Sequence, residues 1–492
     1  MTRAASAESV ARWATEPAID LWVVFGEPAG DAVERDGGVV HEAAGVPSSH
    51  VVFDAMRSVR VEDVRRVGVV SRSREGLVAG RQSGAGAVIG IADKAADASR
   101  LLDAEPDAVV TEAGFDDLYA ARFGSGRRLR PQVLLNPGPA LTSDAVKRAA
   151  AGVDLCHREP EYVELDTRVR EQLRRMAGVG EDWGVAIISG SGTAANEMAL
   201  RAAVRPGRQV LVVVNGVYGE RLRAMAERAE IDVVVFECGW TEPADPAAIG
   251  ALLDEHPVDA VALVHHETTT GLLNPAQEIA ALAREAGVRV VLDAVSSFGV
   301  EELVLEGSGI DFLACSSNKC LQGLPGAAFV LVSPAGLTRL AEVPPSSVYL
   351  DLAGYLRGAE TGSVPFTPPI PAVSALAAAL DELFAIGPAE HRRRYAERAA
   401  VLDEVLAGIG LEPIVAEHHR SRTVRSVPLP PGATFMRLHD ELKRDGYVIY
   451  AGQGALASEI FRVCCMGTLE PDVLRAFGQR LAALLEREPS AA

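Results

Sequence analysis

Lys319 lies in ACSSNKCLQGLPG (314–326), at the end of an apolar run and just before a Gly/Pro loop. A lysine so placed is partly withdrawn from water, which favours amine nucleophile chemistry over the solvated role of most lysines. Asp293 closes a second apolar run, VVLDAVSSFG (290–299). Alone it reads as a helix cap, yet a carboxylate at a buried strand end is costly unless a cation or proton donor faces it. Upstream, IISGSGTAANEMAL (187–200) runs a strand through Gly-Ser-Gly-Thr into a helix. Ser191, Gly192 and Thr193 thereby bring free N–H groups and hydroxyls to the positive end of a helix dipole, where a small anion is held.

The chain order is cradle, Tyr218 in NGVYGER, the threonines of HHETTTG (265–271), Asp293 and Lys319. Each signal is weak singly, but together they supply what pyridoxal 5′-phosphate (PLP) requires. The cradle takes the phosphate, a flat ring stacks on the pyridine, the acid keeps the ring nitrogen protonated, and the lysine forms a Schiff base.

Alternating elements must position these residues. Apolar β-branched runs at 65–70, 185–189, 210–214, 258–264, 288–294 and 327–333 alternate with Ala/Leu/Arg-rich amphipathic segments. That pattern predicts an α/β architecture with a mainly parallel sheet. A polar stretch at 121–132 reads as a linker, and beyond about 345 Pro-rich segments lead to helices over 372–386 and 388–408 and an α+β tail. The expected division is 1–130, a PLP-binding large domain at 131–370, and a small C-terminal domain at 371–492.

A chain of 492 residues exceeds one hydrophobic core. Its net charge of −19, with no basic stripe, argues against nucleic acid. No apolar run is long enough to span a bilayer and the N-terminus lacks a signal sequence, so no membrane role is expected. Six cysteines without CxxC or His at ligand spacing predict neither disulfides nor a metal site, and a reducing cytoplasm.

At these residues the chain resembles class V aminotransferases of PLP fold type I, most closely their 2-aminoethylphosphonate:pyruvate branch. The matching segments include LLNPGPALTS (134–143), SGSGTAANE (189–197), VHHETTTGLLNP (264–275), LDAVSSFG (292–299), SSNKCLQGLPG (316–326), FTPPIPAV (366–373) and FRVCCMG (461–467), spanning about 131–486. The resemblance implies that Lys319 is the Schiff-base lysine and proton shuttle and Asp293 the ring-nitrogen partner. It also implies that Tyr218 stacks on the cofactor, that Ser191, Gly192, Thr193 and Ser317 hold its phosphate with Thr367 of a partner subunit, and that Thr268 bonds the ring hydroxyl. Arg462 is then the fork that grips the acid head group, with Thr142 and Ser143 beside the substrate. Expected partners are an aminophosphonate, a 2-oxo acid and a second copy of the chain in a homodimer. The rivals are an alanine- or serine-type transaminase using glyoxylate or pyruvate, a noncatalytic scaffold of the same fold, and a cysteine desulfurase, which needs a cysteine on a mobile loop.

Residues 1–130 resemble a truncated haloacid-dehalogenase-like domain of the phosphonoacetaldehyde hydrolase kind, carried by LWVVFGEPAG (21–30) and 45–91. Its chemistry is missing. Gly26 stands at the place of the nucleophilic aspartate, and Val69 and Ser73 at the places of the metal-binding acids, so the resemblance implies a noncatalytic remnant.

Overall fold

The computed structural model describes residues 132–486 without a break. Before them it describes 21–25, 33–35, 38–43, 67–71, 73–85, 87–91 and 108–110, with a few single positions. The expected linker lies outside the described residues except for Gln132. The chain divides into two compact units, Met1–Pro131 and Gln132–Ala492.

The first unit holds a six-stranded sheet of β1 (Leu21–Phe25), β2 (Val33–Arg35), β3 (Gly38–Ala43), β4 (Val67–Ser71), β5 (Ala87–Ile91) and β6 (Ala108–Val110). Its order is β2-β3-β1-β4-β5-β6, parallel apart from the β2–β3 pair. Val69 is fully buried within β4. Ser73 caps α1 (Arg74–Ser83), its hydroxyl accepting from the Gly76 N–H. Val69 offers no donor atom, and no group of three or more His, Cys, Asp or Glu side chains that could hold a metal ion occurs among the described residues. Gly26 lies outside them.

In the second unit, helices α2 (Asp144–Ala150) and α3 (Pro160–Ala177) lead into β7 (Gly184–Gly190) and α4 (Gly192–Ala203). Then come β8 (Gln209–Val214), α5 (Val217–Arg228), β9 (Asp232–Glu237) and β10 (Val258–Val264). A short hairpin, β11 (His266–Glu267) with β12 (Leu272–Leu273), precedes β13 (Arg289–Asp293), β14 (Phe312–Ser316) and β15 (Gly326–Val332). The seven-stranded sheet runs β9-β8-β10-β13-β14-β15-β7, parallel except for β15, which is antiparallel to both neighbours. Its inner strands β10 and β14 are buried along their whole length and the other inner strands at all but their first residue, which is why they read as continuous apolar runs rather than alternating ones.

Helices α6 (Ile370–Ile386) and α7 (Pro388–Gly408) follow. A three-stranded antiparallel sheet of β16 (Val424–Pro428), β17 (Tyr450–Ala451) and β18 (Ile460–Cys464) has β18 at its centre, and α8 (Pro471–Leu485) closes the chain. Leu402, Leu406, Val427, Phe461, Phe477 and Leu481 form the separate core of this region. Among the described residues no single helix is long and apolar enough to cross a membrane.

Candidate active site

Every parallel strand of the large sheet ends at one edge, and ligands of open α/β sheets bind outside the carboxyl ends of strands. A cavity of about 160 Å3 lies there, lined by Ser191, Gly192 and Thr193 after β7, Tyr218 and Arg221 of α5, and Thr268 after β11. Asp293 at the end of β13 and Lys319 beyond β14 complete it. Residues from five separate strand ends, spread over more than a hundred positions, therefore meet in one place.

Asp293 is 5 % exposed. Its Oδ2 accepts from Asn196 Nδ2 at 2.6 Å and its Oδ1 from the Val295 N–H at 3.0 Å. Burial pushes its carboxyl up, and those two donors with the Arg221 and Lys319 charges oppose the rise. Lys319 Nζ donates to the Pro137 carbonyl. At Gly138 φ is +112°, and a Cβ there would fall on the Lys319 side chain, so only glycine lets this segment pass.

At the cradle, Ser191 caps α4 from extended backbone without a side-chain bond to its own helix. The Ala194 and Ala195 N–H groups turn back to the Ser191 carbonyl, which leaves the Gly192 and Thr193 N–H groups at the helix mouth. A Cβ on Gly192 would collide with Val295, so this glycine lets the helix end close onto the loop after Asp293. Arg221 adds a cation, with Nη1 3.4 Å from Thr193 Oγ1 and Cζ 4.7 Å from the Tyr218 ring centre.

Asn196, Arg221 and His266 are among the cavity residues that escaped the sequence reading. Asn196 lies on α4 at helical spacing from Gly192 and Thr193 and so shares their face. Arg221 stands in the same relation to Tyr218. His266 contacts the Ser296 carbonyl through Nδ1 at 2.9 Å, leaving Nε2 buried without a partner. Burial lowers its pKa to about 3, so the ring is neutral and Nε2 is an acceptor in the cavity wall.

Other expected residues stand apart. Ser317 is not in the lining: its hydroxyl donates into the turn that follows, toward the Leu324 and Ala327 carbonyls. Its neighbour Ser316 lines the cavity instead, with Oγ buried and unpartnered. Ser143 caps α2, accepting from the Val146 N–H and donating to Glu382 at 2.8 Å, and neither it nor Thr142 lines the cavity. Thr367 is exposed and also outside the lining.

Arg462, at the centre of β18, is 1 % exposed. Its Nε donates to the Ala451 carbonyl at 2.9 Å, and Nη1 to the Thr268 carbonyl at 3.0 Å and to Gln453 Oε1 at 3.1 Å. Burial pushes its pKa down. No carboxylate pairs with it among the described residues.

Residues 146–463 match the family model described as aminotransferase class-V. The chain belongs to the class V aminotransferases. A 2-aminoethylphosphonate–pyruvate transaminase of Aeromonas hydrophila is 36% identical over 353 residues, covering 70% of this chain and 92% of that one. One from Burkholderia thailandensis is 37% identical over 364 residues, covering 72% and 98%. Among solved structures, an aspartate aminotransferase from Thermus thermophilus superposes with a TM-score of 0.66 at 32% identity, covering 72% of this chain and 99% of that chain. An alanine–glyoxylate aminotransferase from Nostoc sp. gives 0.70 at 28%, covering 73% and 97%.

As a class V aminotransferase the chain is a PLP-dependent enzyme, and its cavity suits that cofactor. Free N–H groups at the mouth of α4 suit a phosphate. The buried Asp293 calls for a protonated ring nitrogen, and the unpartnered polar atoms of Ser316 and His266 call for a polar ligand. Cys464 and Cys465, fully buried in and just after β18, are not placed as the mobile nucleophile of a desulfurase.

Proposed function

We propose that this chain transfers the amino group of 2-aminoethylphosphonate to pyruvate, giving phosphonoacetaldehyde and L-alanine, reversibly. The observation that carries the reading is Arg462: a buried guanidinium with no acid partner among the described residues, bonded to Thr268 of the cavity wall, is disposed to receive an anionic head group. The relatives of the same name across nearly their whole length support the phosphonate as donor.

When bound, PLP supplies the electron sink that stabilises negative charge at the substrate carbon. The Gly192 and Thr193 N–H groups and the Ser191 hydroxyl hold its phosphate, helped by Ser316 and by Thr367 of a partner subunit in a homodimer. Asp293 would keep the ring nitrogen protonated, Tyr218 would stack on the ring, and Thr268 and His266 Nε2 would offer polar atoms to it. Arg462 fixes the acid head of each substrate in turn. Lys319 would anchor the cofactor and would move the proton at the substrate carbon. Residues 131–370 form the cofactor domain and 371–492 the small domain in this reading, and 1–130 are a noncatalytic haloacid-dehalogenase-like remnant. The free state of all six cysteines fits a cytoplasmic enzyme.

The test is loss of the bound-cofactor absorbance band when purified enzyme meets 2-aminoethylphosphonate, L-alanine, L-serine or glycine separately. Fast conversion by the phosphonate and by alanine is expected. A cofactor untouched by the phosphonate but converted by serine or glycine would make this a carboxylate transaminase.

A further inference from the structure

The Arg462 guanidinium already has an occupant. Gln453 sits in the short loop between β17 and β18, and its Oε1 accepts from Arg462 Nη1 at 3.1 Å. The loop is held by the Gly452 N–H donating to the Ile460 carbonyl at 2.9 Å. Gly454 is packed so closely on Trp240 that a Cβ would clash with its ring. Gln453 itself is half-buried. A side chain on a loop fixed at both ends thus presents a neutral amide oxygen to the cation that an acid head group must reach.

We propose that Gln453 is a specificity-determining residue of the anion site, exchanging its amide oxygen on Arg462 for its amide nitrogen on the head group when substrate enters. This rests on the reading of Arg462 given above. An amide carries an acceptor and a donor of nearly equal shape, so a half-turn of the side chain converts one into the other. A planar carboxylate offers two oxygens, and a guanidinium fork satisfies both. A tetrahedral phosphonate has a third oxygen that the fork does not reach. Gln453 Nε2, on the residue already bonded to Arg462, is the donor placed to take it. Left unturned, Oε1 would face an anionic oxygen and repel it. The device therefore favours a head group with three oxygens over one with two, and makes any anion displace a neutral placeholder before binding.

The experiment measures single-turnover conversion of holoenzyme by 2-aminoethylphosphonate and by L-alanine in wild type, Gln453→Leu, Gln453→Glu and Arg462→Lys. A lost hydrogen bond to a charged group corresponds to roughly 10- to 100-fold, so Gln453→Leu lowers the phosphonate-to-alanine ratio of kcat/KM by about tenfold or more. Gln453→Glu places a fixed carboxylate on Arg462, raises the apparent KM for both donors far more than it changes kcat, and recovers as the pH is lowered toward its protonation. An unchanged donor ratio in Gln453→Leu, or an unchanged KM in Gln453→Glu, overturns the inference even where Arg462→Lys weakens both donors. If Arg462→Lys alters neither donor, the anion site itself is misassigned. A wild-type enzyme inert to the phosphonate sinks both readings.

Discussion

Replacing Asn196 by alanine removes one of the two hydrogen bonds that hold the Asp293 carboxylate, the 2.6 Å bond to Oδ2, and leaves the 3.0 Å bond from the Val295 N–H. A hydrogen bond to a charged group contributes about 1.5–3 kcal/mol, and one pKa unit corresponds to about 1.36 kcal/mol. The carboxyl, already raised by burial, should therefore rise further by roughly one to two units. Only the ionised form can hold a protonated ring nitrogen, so cofactor affinity should begin to fall at a higher pH than in wild type. The assay is titration of cofactor-free enzyme with PLP as a function of pH, read as the pH at which affinity is lost on the acid side. In Asn196→Ala the acid-side loss of affinity shifts upward by about one unit or more. In Asn196→Asp it shifts further, because two carboxyls in contact share one proton. Thermal unfolding of the cofactor-free proteins separates this from simple damage. Superimposable pH profiles for all three proteins would refute the role given to Asp293, since its ionisation would then not govern cofactor binding.

Three further outcomes follow from the geometry. Burial pushes Asp259 up, but bonds from Arg205 and Arg208 and the Arg339 charge outweigh it and hold the carboxyl well below its usual range. Asp259→Ala strands those cations, of which Arg205 and Arg208 are partly solvated, and should cost about 3 kcal/mol in urea unfolding. Glu301 is pushed by burial from 4.5 up to about 7, against the Arg422 contacts. A raised acid favours the fold while protonated, so that contribution is complete below about 4.5 and is lost as the pH rises through about 7. Glu301→Gln should flatten the melting temperature across this window and gain up to about 3 kcal/mol on its alkaline side. Gly138→Ala sets a side chain at positive φ against Lys319, and should slow transamination by about tenfold or more while leaving the chain folded, as circular dichroism would report.

How far the site was legible in the sequence depends on what each residue's neighbours decide. Asp293 and Lys319 could be read because strand ends are marked by an apolar run that stops, and chemistry-bearing residues at those stops all face one edge of a parallel sheet. Ser191 to Thr193 were legible for the same reason. Ser317 opens the turn after β14 and donates to a carbonyl across it, whereas Ser316, the last residue of β14, lines the cavity, and an apolar run that stops at adjacent serines does not say which of the two faces inward. Ser143 carries a signal that was available, a serine before Asp144 at the start of a helix, and the cap it forms is the ordinary use of that residue type. His266 could not be assigned from HHETTTG, because what leaves its Nε2 free for the cavity is a contact of Nδ1 with the Ser296 carbonyl, thirty positions away. The helical part of the C-terminal region was legible from its periodicity, with α6 and α7 at Ile370–Ile386 and Pro388–Gly408.

Burial without an acid partner does not by itself identify an anion-binding arginine, and this chain contains the control. Arg398 is 4 % exposed and has no carboxylate partner among the described residues. Its guanidinium donates to the Cys465 and Gly467 carbonyls, Nε donates to Arg394 O at 3.1 Å, and Cζ stacks 4.2 Å from the Tyr395 ring centre. Carbonyl dipoles and a ring face can stabilise a buried cation with no ligand present. What separates Arg462 is where its donors lead. One of its carbonyl partners belongs to Thr268, which lines the cavity, and its only side-chain acceptor among the described residues is an amide on a surface loop. The donors of Arg398 lead to the turn after β18, where Tyr395 also receives the Gly467 N–H and the Gln322 amide. Arg398 therefore ties α7 to the turn after β18, and Arg462 presents its charge beside the cavity that Lys319 lines.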